Sequence, residues 1–158
     1  MMGSVVSATT GAVYGRGARI SKADQFLAAA EELIGLAHDD FEAGRHDVAM
    51  ENAYRAALRV AGARNASSPI VRKRKRLPTS AWDKLALTGS DGAHWAAVFK
   101  RYSTQRGRVA SGIETDPGAA VVHRLLSDAE EFYLSTRAGE APMLSLIHIS
   151  EPTRPERI

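Results

Sequence analysis

The sequence predicts an all-α fold, an antiparallel bundle of four to five helices. Three observations carry this. Apolar residues recur at the three- and four-residue spacing of a helix face in several long segments, and no alternating segment of useful length suggests a strand. Only 6% of the 158 residues are aromatic, so a core must be built mainly from Ala, Leu and Val, which suits close helix packing. The connections are short apart from one basic stretch, which favours antiparallel neighbours.

The elements follow in order. Residues 1–20 are rich in Gly, Ser, Thr and Ala without periodicity, and are expected to form a disordered leader. Ser21 and Asp24 have the spacing of a capping box, with Asp in place of Glu. Behind them Phe26, Ala30, Leu33 and Ala37 recur at helical spacing, with Leu27, Ile34 and Phe41 widening the stripe. This helix should end near Ala43 and Gly44, because Gly takes the left-handed conformation that closes a helix. A second helix is predicted over 46–64. Its Ala49, Ala53, Ala56 and Val60 form a seam of small residues, and Met50, Tyr54, Leu58 and Ala61 form a second apolar row. A helix apolar on two sides is expected to be central or to meet a second subunit.

Residues 65–78 read as a linker, since Pro69, Pro78 and a block of like charge argue against a helix. Thr79 or Ser80 should then cap a short helix with Trp82, Leu85 and Ala86 inward, broken at Gly89 and Ser90. A fourth helix over 91–109 carries Trp95, Val98, Phe99 and Tyr102 inward and Lys100, Arg101, Arg106 and Arg108 outward. Asp116 and Pro117 are the clearest start signal, an acceptor N-cap followed by Pro at the first helical position. The fifth helix then places Val121, Val122, Leu125, Leu126, Ala129, Phe132 and Tyr133 at helical spacing and should stop near Ala138 and Gly139. One helical domain over 21–139 results, followed by a tail at 140–158 expected to be disordered.

The end of that tail has its own signature. Leu144 to Arg154 read LSLIHISEPTR, which resembles the in-frame translation of a transposase-based sequencing adapter. Residues 144–158 are therefore expected to be artefactual, and His148 is evidence for no site.

Composition bounds the function. A hydrophobic fraction of 44% and a charged fraction of 25% are those of an ordinary globular protein. The sequence contains no Cys, which removes disulfides, thiolate metal sites and cysteine catalysis. No apolar run reaches the ~20 residues of a membrane span, no secretory signal is evident, and cytoplasm is the expected compartment. The net charge of +3 is unevenly placed. Between Lys22 and Glu42 one base faces six acids, whereas between Arg64 and Arg76 there are six bases and no acid.

From about 21 to 137 the chain resembles the HEPN domain family (higher eukaryotes and prokaryotes nucleotide-binding), and within it a small actinobacterial group. The residues that carry this are AMENAYRAALRVAGAR at 49–64, the basic linker, PTSAWDKLA at 78–86, HWAAVFKRYS at 94–103 and RLLSDAEEFYLSTR at 124–137. The resemblance implies an antiparallel four-to-five-helix bundle, commonly dimeric, with a possible place in a toxin–antitoxin or stress system. Many such proteins are metal-independent ribonucleases that use an Arg, four to six residues, and then a His. There Arg stabilises charge developing on phosphate and His transfers the proton. No Arg stands at that spacing before His38, His46, His94 or His123, so no catalytic residue is assigned and the expectation leans away from an enzyme.

The remaining constellations are binding candidates. Arg72, Lys73, Arg74, Lys75 and Arg76 could neutralise several phosphates, or serve as a solvated linker. No aromatic residue interleaves them for base stacking. Asn52, Arg55 and Arg59 share a face of the second helix and could line a phosphate or nucleotide pocket, or form a surface row. His38 with Asp39 and Asp40 is a weak metal candidate, because adjacent residues diverge on a helix. Trp82, Trp95 and Tyr102 are read as core anchors, and His123 with Ser127 lacks an orienting third group. No phosphate-binding Gly-rich loop is present, and no cofactor or metal is expected. The first reading is a non-catalytic binding module that self-associates or meets a protein partner, with an acidic first helix and a basic fourth helix giving complementarity. The alternative is an RNA-directed protein, either a binder through the basic linker or a divergent ribonuclease.

Overall fold

The computed structural model describes residues 20–139. Six helices run along them: α1 (Lys22–Glu42), α2 (His46–Ser67), α3 (Pro69–Lys73), α4 (Ala81–Ala86), α5 (Ser90–Ala110) and α6 (Ala119–Gly139). Among the described residues there is no strand, and no helix is long and apolar enough to cross a membrane. The expected leader at 1–20 falls almost wholly outside the described residues, and the tail at 140–158 lies outside them entirely.

Local chemistry sets the helix ends. The Ser21 hydroxyl accepts from the Asp24 amide at 3.0 Å, which occupies one of the free donors at the start of α1. Gly44 sits at φ +79° just past α1, the left-handed turn that lets α2 fold back. Asp40 fastens this hairpin. Its carboxylate accepts from Arg45 Nε at 3.1 Å and Nη2 at 2.9 Å, and from Asn52 Nδ2 at 2.9 Å.

α2 is the central element, packed against each of the other five. Ala49, Ala53, Ala56, Ala57, Val60, Ala61 and Ala63 are all wholly buried along it, so both apolar rows read from the sequence are used. The few aromatic residues are concentrated on the other side of the core. Trp82 stacks on Phe99 at 5.1 Å and Trp95 on Phe132 at 5.0 Å, and Phe99 meets Phe132 at 5.3 Å. The core therefore has a thin alanine seam between α1 and α2 and a thick aromatic layer joining α4, α5 and α6.

Two boundaries and one buried face differ from expectation. The stretch read as an irregular linker is partly helical: α2 continues to Ser67 and α3 forms at Pro69–Lys73. Pro69 is tolerated because it stands at a helix start, where its missing N–H costs nothing. The start signal before α6 also acts differently. Asp116 accepts from the Gly118 amide at 3.0 Å, and Gly118 turns at φ +92°. Helix therefore begins only at Ala119, with Pro117 buried outside it. Ala86 is exposed rather than inward; Trp82 and Leu85 alone bury the face of α4.

Antiparallel packing gives the bundle two distinct ends. One gathers the end of α2, the start of α5 and the end of α6 around the cavity shared by Arg64, Asp91 and Ser135, with the start of α1 beside Arg59 of α2. The other gathers the α1–α2 turn, the end of α5 and the start of α6, tied by Arg106 to Glu51 and His46 to Asp116.

Candidate functional site

The basic stretch is a held ridge. Ser68 accepts from the Val71 amide at 3.3 Å, and Val71 is buried at 6% exposure. These contacts fix α3 and with it Arg72 and Lys73 in its last turn. Arg74 turns extended, and its Nε donates to the Arg76 carbonyl at 3.3 Å. Downstream, the Ser80 hydroxyl accepts from the Trp82 and Asp83 amides, and Asn65 Nδ2 reaches the Ala81 carbonyl at 3.3 Å. The chain is thus anchored on both sides while all five bases remain exposed. Among the described residues, none of the five forms an ion pair. The apolar side chains of Ile70 and Leu77 flank them in solvent.

Beside this ridge lies a cavity of about 440 Å³, lined among others by Arg64, Ile70, Thr88, Asp91, Ser135 and Thr136. Arg64 organises it. Its Nε donates to Thr136 Oγ1 at 2.6 Å, Nη1 to Asp91 Oδ2 at 2.6 Å and Nη2 to Ser135 Oγ at 3.1 Å. The guanidinium also lies 4.9 Å from the centre of the Phe132 ring, whose π face attracts it. Its side chain is only 18% exposed, against 70% for Asp91. The result is a fixed guanidinium at the floor and a carboxylate toward solvent.

The row at Asn52, Arg55 and Arg59 does not converge on one pocket. Asn52 serves the Asp40 hairpin clasp, and Arg55 is exposed. Arg59 instead shares a shallow cavity of about 310 Å³ with Lys22, Gln25 and Phe26. The bases of the fourth predicted helix are mostly used within the molecule. Lys100 pairs with Asp83, Arg106 with Glu51 and Arg108 with Glu114, leaving Arg101 of the four without an ion pair among the described residues. The Arg106–Glu51 pair is two-pronged, at 2.9 and 2.8 Å, and Glu51 raises the Arg106 pKa further above its ordinary value.

The histidines of the described region face carboxylates or rings. His38 Nε2 stands 3.4 Å from Glu130 and His46 Nδ1 3.4 Å from Asp116. His94 packs against Trp95, and His123 against Phe41. The Gly118 amide and then His46 hold the Asp116 carboxyl below its ordinary range. Asp128 accepts from the Tyr102 hydroxyl at 2.8 Å. Burial first, and then Asp128, push the Tyr102 hydroxyl up to about 12. Among the described residues, no group of three His, Asp or Glu side chains is placed to hold a metal.

The ridge was legible as a charge run. The cavity was not, because Arg64, Asp91 and Ser135 come from three different helices and share no spacing. A family model described as SAV_6107-like HEPN matches residues 42–136 of the chain. Neither a curated protein nor a solved structure matches it at a significant level.

Proposed function

This chain belongs to the SAV_6107-like HEPN family, and from that premise we propose that it is a non-catalytic helical module that acts by binding the phosphate backbone of RNA through residues 72–76. The observation that supports this reading is the ridge: five successive exposed cations, anchored at both ends, with no acid partner in the described structure. Cations whose charge is already met by an acid, as for most of those on α5, offer less charge to a phosphate. None of these five is paired with an acid among the described residues. Contact of this type reads backbone charge and ignores sequence.

The test is binding of a labelled single-stranded RNA, followed by fluorescence anisotropy, for the native chain and a variant with Gln at all five positions. Binding by the native chain and its loss in the variant are expected; equal binding by both removes the ridge. Cleavage of the RNA without added metal would overturn the non-catalytic part.

A homodimer is the second reading. Large apolar side chains stay in solvent on α1 (Leu36, 48%), before α6 (Ile113, 71%) and on α6 (Leu134, 54%). A scattering mass of twice 17.0 kDa at micromolar concentration would support it, and a monomer would remove it.

A further inference from the structure

We propose that the end cavity is a nucleoside subsite that selects RNA over DNA by binding the ribose 2′-hydroxyl of a strand whose phosphates lie along the ridge. This rests on the RNA reading above and adds a second site to it.

The position comes first. Ile70 lines the cavity, and the ridge cation Lys73, three residues on, shares its face of α3. A backbone tracking the ridge therefore carries its next sugar to the cavity mouth. The volume of about 440 Å³ lies within the range of small-molecule sites, roughly 300–1,000 Å³, and has room for one nucleoside.

The charges then decide which part of a nucleotide enters. The last turns of α2 and α6 both reach the cavity, through Ser67 and Ser68 and through Ser135 and Thr136. Two negative helix ends and the Asp91 carboxylate thus face one guanidinium and two helix starts, those of α5 and of the five-residue α3, which together leave no net positive charge. That balance is short of positive charge for a phosphate. It suits a group that both donates and accepts.

A ribose hydroxyl is such a group. Of the five guanidinium N–H donors, Arg64 uses one each on Thr136, Asp91 and Ser135. Asp91 receives Arg64 on Oδ2, leaving Oδ1 on a carboxylate that is 70% exposed toward solvent. The 2′-hydroxyl can donate to Asp91 Oδ1 while it accepts from Arg64. A deoxyribose has no hydroxyl there, and its entry would strip water from both groups without replacing the bonds. The floor is rigid, since Arg64 is pinned at three nitrogens and backed by Phe132. Rigidity lets a missing hydroxyl be felt rather than absorbed.

The experiment compares a labelled oligouridylate with the oligodeoxyuridylate of equal length, which differ only at the 2′ position. The full chain is expected to bind the ribo form about ten-fold more tightly, the worth of roughly one hydrogen bond to a charged group. Asp91→Asn should bring that ratio close to one, apart from a gain common to both oligomers from losing a negative charge. Ile70→Trp, a surface change that fills the cavity rim, should do the same without touching Arg64 or Asp91. A ratio that survives in both variants overturns the cavity assignment. A ratio of one in the native chain, with both oligomers bound, overturns the proposal and leaves the ridge reading standing. Binding of neither oligomer removes the ridge reading, and this one with it.

Discussion

Charge on the ridge makes a quantitative demand on binding. Single-stranded nucleic acid releases counterions as its phosphates are neutralised, and log K falls with log salt at a slope of about −0.7 per phosphate. If each of the five bases at 72–76 meets one phosphate, the slope is about −3.5. Raising salt from 50 to 200 mM should then weaken binding about 100-fold. Replacing Arg72, Arg74 and Arg76 by Lys keeps every charge and should keep the slope. Replacing all five residues by Gln should bring the slope near zero. The side chains are exposed and lie between two anchored points, so the Gln variant should unfold within about 0.5 kcal/mol of the native chain. Anisotropy titrations at four salt concentrations, with urea unfolding as the control, measure both quantities. A Gln variant that folds normally and retains a slope near −3.5 would falsify the ridge as the contact surface.

The remaining predictions concern the fold that holds the ridge. A Cβ added at Gly92 would overlap the Leu85 carbonyl oxygen and the Thr88 hydroxyl; backbone cannot swing away, so Gly92→Ala should cost about 3 kcal/mol by urea unfolding. At Gly62 the nearest atoms to the new Cβ all belong to the Phe26 ring, at 2.9–3.0 Å. That ring can turn, and the roughly 1 kcal/mol gained in helix propensity offsets the crowding, so Gly62→Ala should stay within about 1 kcal/mol of native. Tyr54→Phe removes the acceptor of the buried Trp82 Nε1 bond of 2.8 Å and should cost about 2 kcal/mol, since an orphaned buried donor loses its hydration without return. Tyr102 sets an alkaline limit. Its folded pKa, raised from 10.0 to about 12, means that the folded state holds a proton the unfolded chain gives up. This stabilisation is complete below about pH 10 and is lost as pH rises toward 12. The partial exposure of Tyr102 limits it to about 1 kcal/mol. A Tyr102→Phe variant should lack this alkaline step, and an unchanged step would place its origin elsewhere.

What could be read from sequence was whatever repeats locally. The helices of 21–22 residues were legible because each presents an apolar stripe to a core, and periodicity reports that directly. The small turn of α3 was not, since a run of like charge hides Val71, whose burial pins it together with the Ser68 cap. The row of Asn52, Arg55 and Arg59 was legible as a face but not as a purpose. Whether a polar residue binds a ligand or clasps its own fold depends on what arrives opposite it, and Asp40 arrives opposite Asn52 from another helix. Arg64 illustrates the same limit from the other side. In sequence it is one base near a basic block, and only packing gives it Asp91 and two hydroxyls.

Packing also explains why a net charge of +3 understates the ridge. The α1–α2 turn folds Asp39 and Glu42 at the end of α1 against Asp47 near the start of α2. Asp116 joins them through His46. The basic run begins after the far end of α2, which has 22 residues and spans about 33 Å at 1.5 Å per residue. At physiological salt, exposed charges are screened over about 8 Å, so the acidic end does not cancel the basic one. A polyanion approaching the molecule meets repulsion at the turn and attraction at the ridge, a dipole that orients it before contact. Reversing charge at the acidic end, for example Glu42→Lys with Asp47→Lys, should therefore speed association with RNA at low salt and leave the dissociation rate nearly unchanged. A change confined to dissociation would mean that those residues touch the strand, and the two ends would then not act separately.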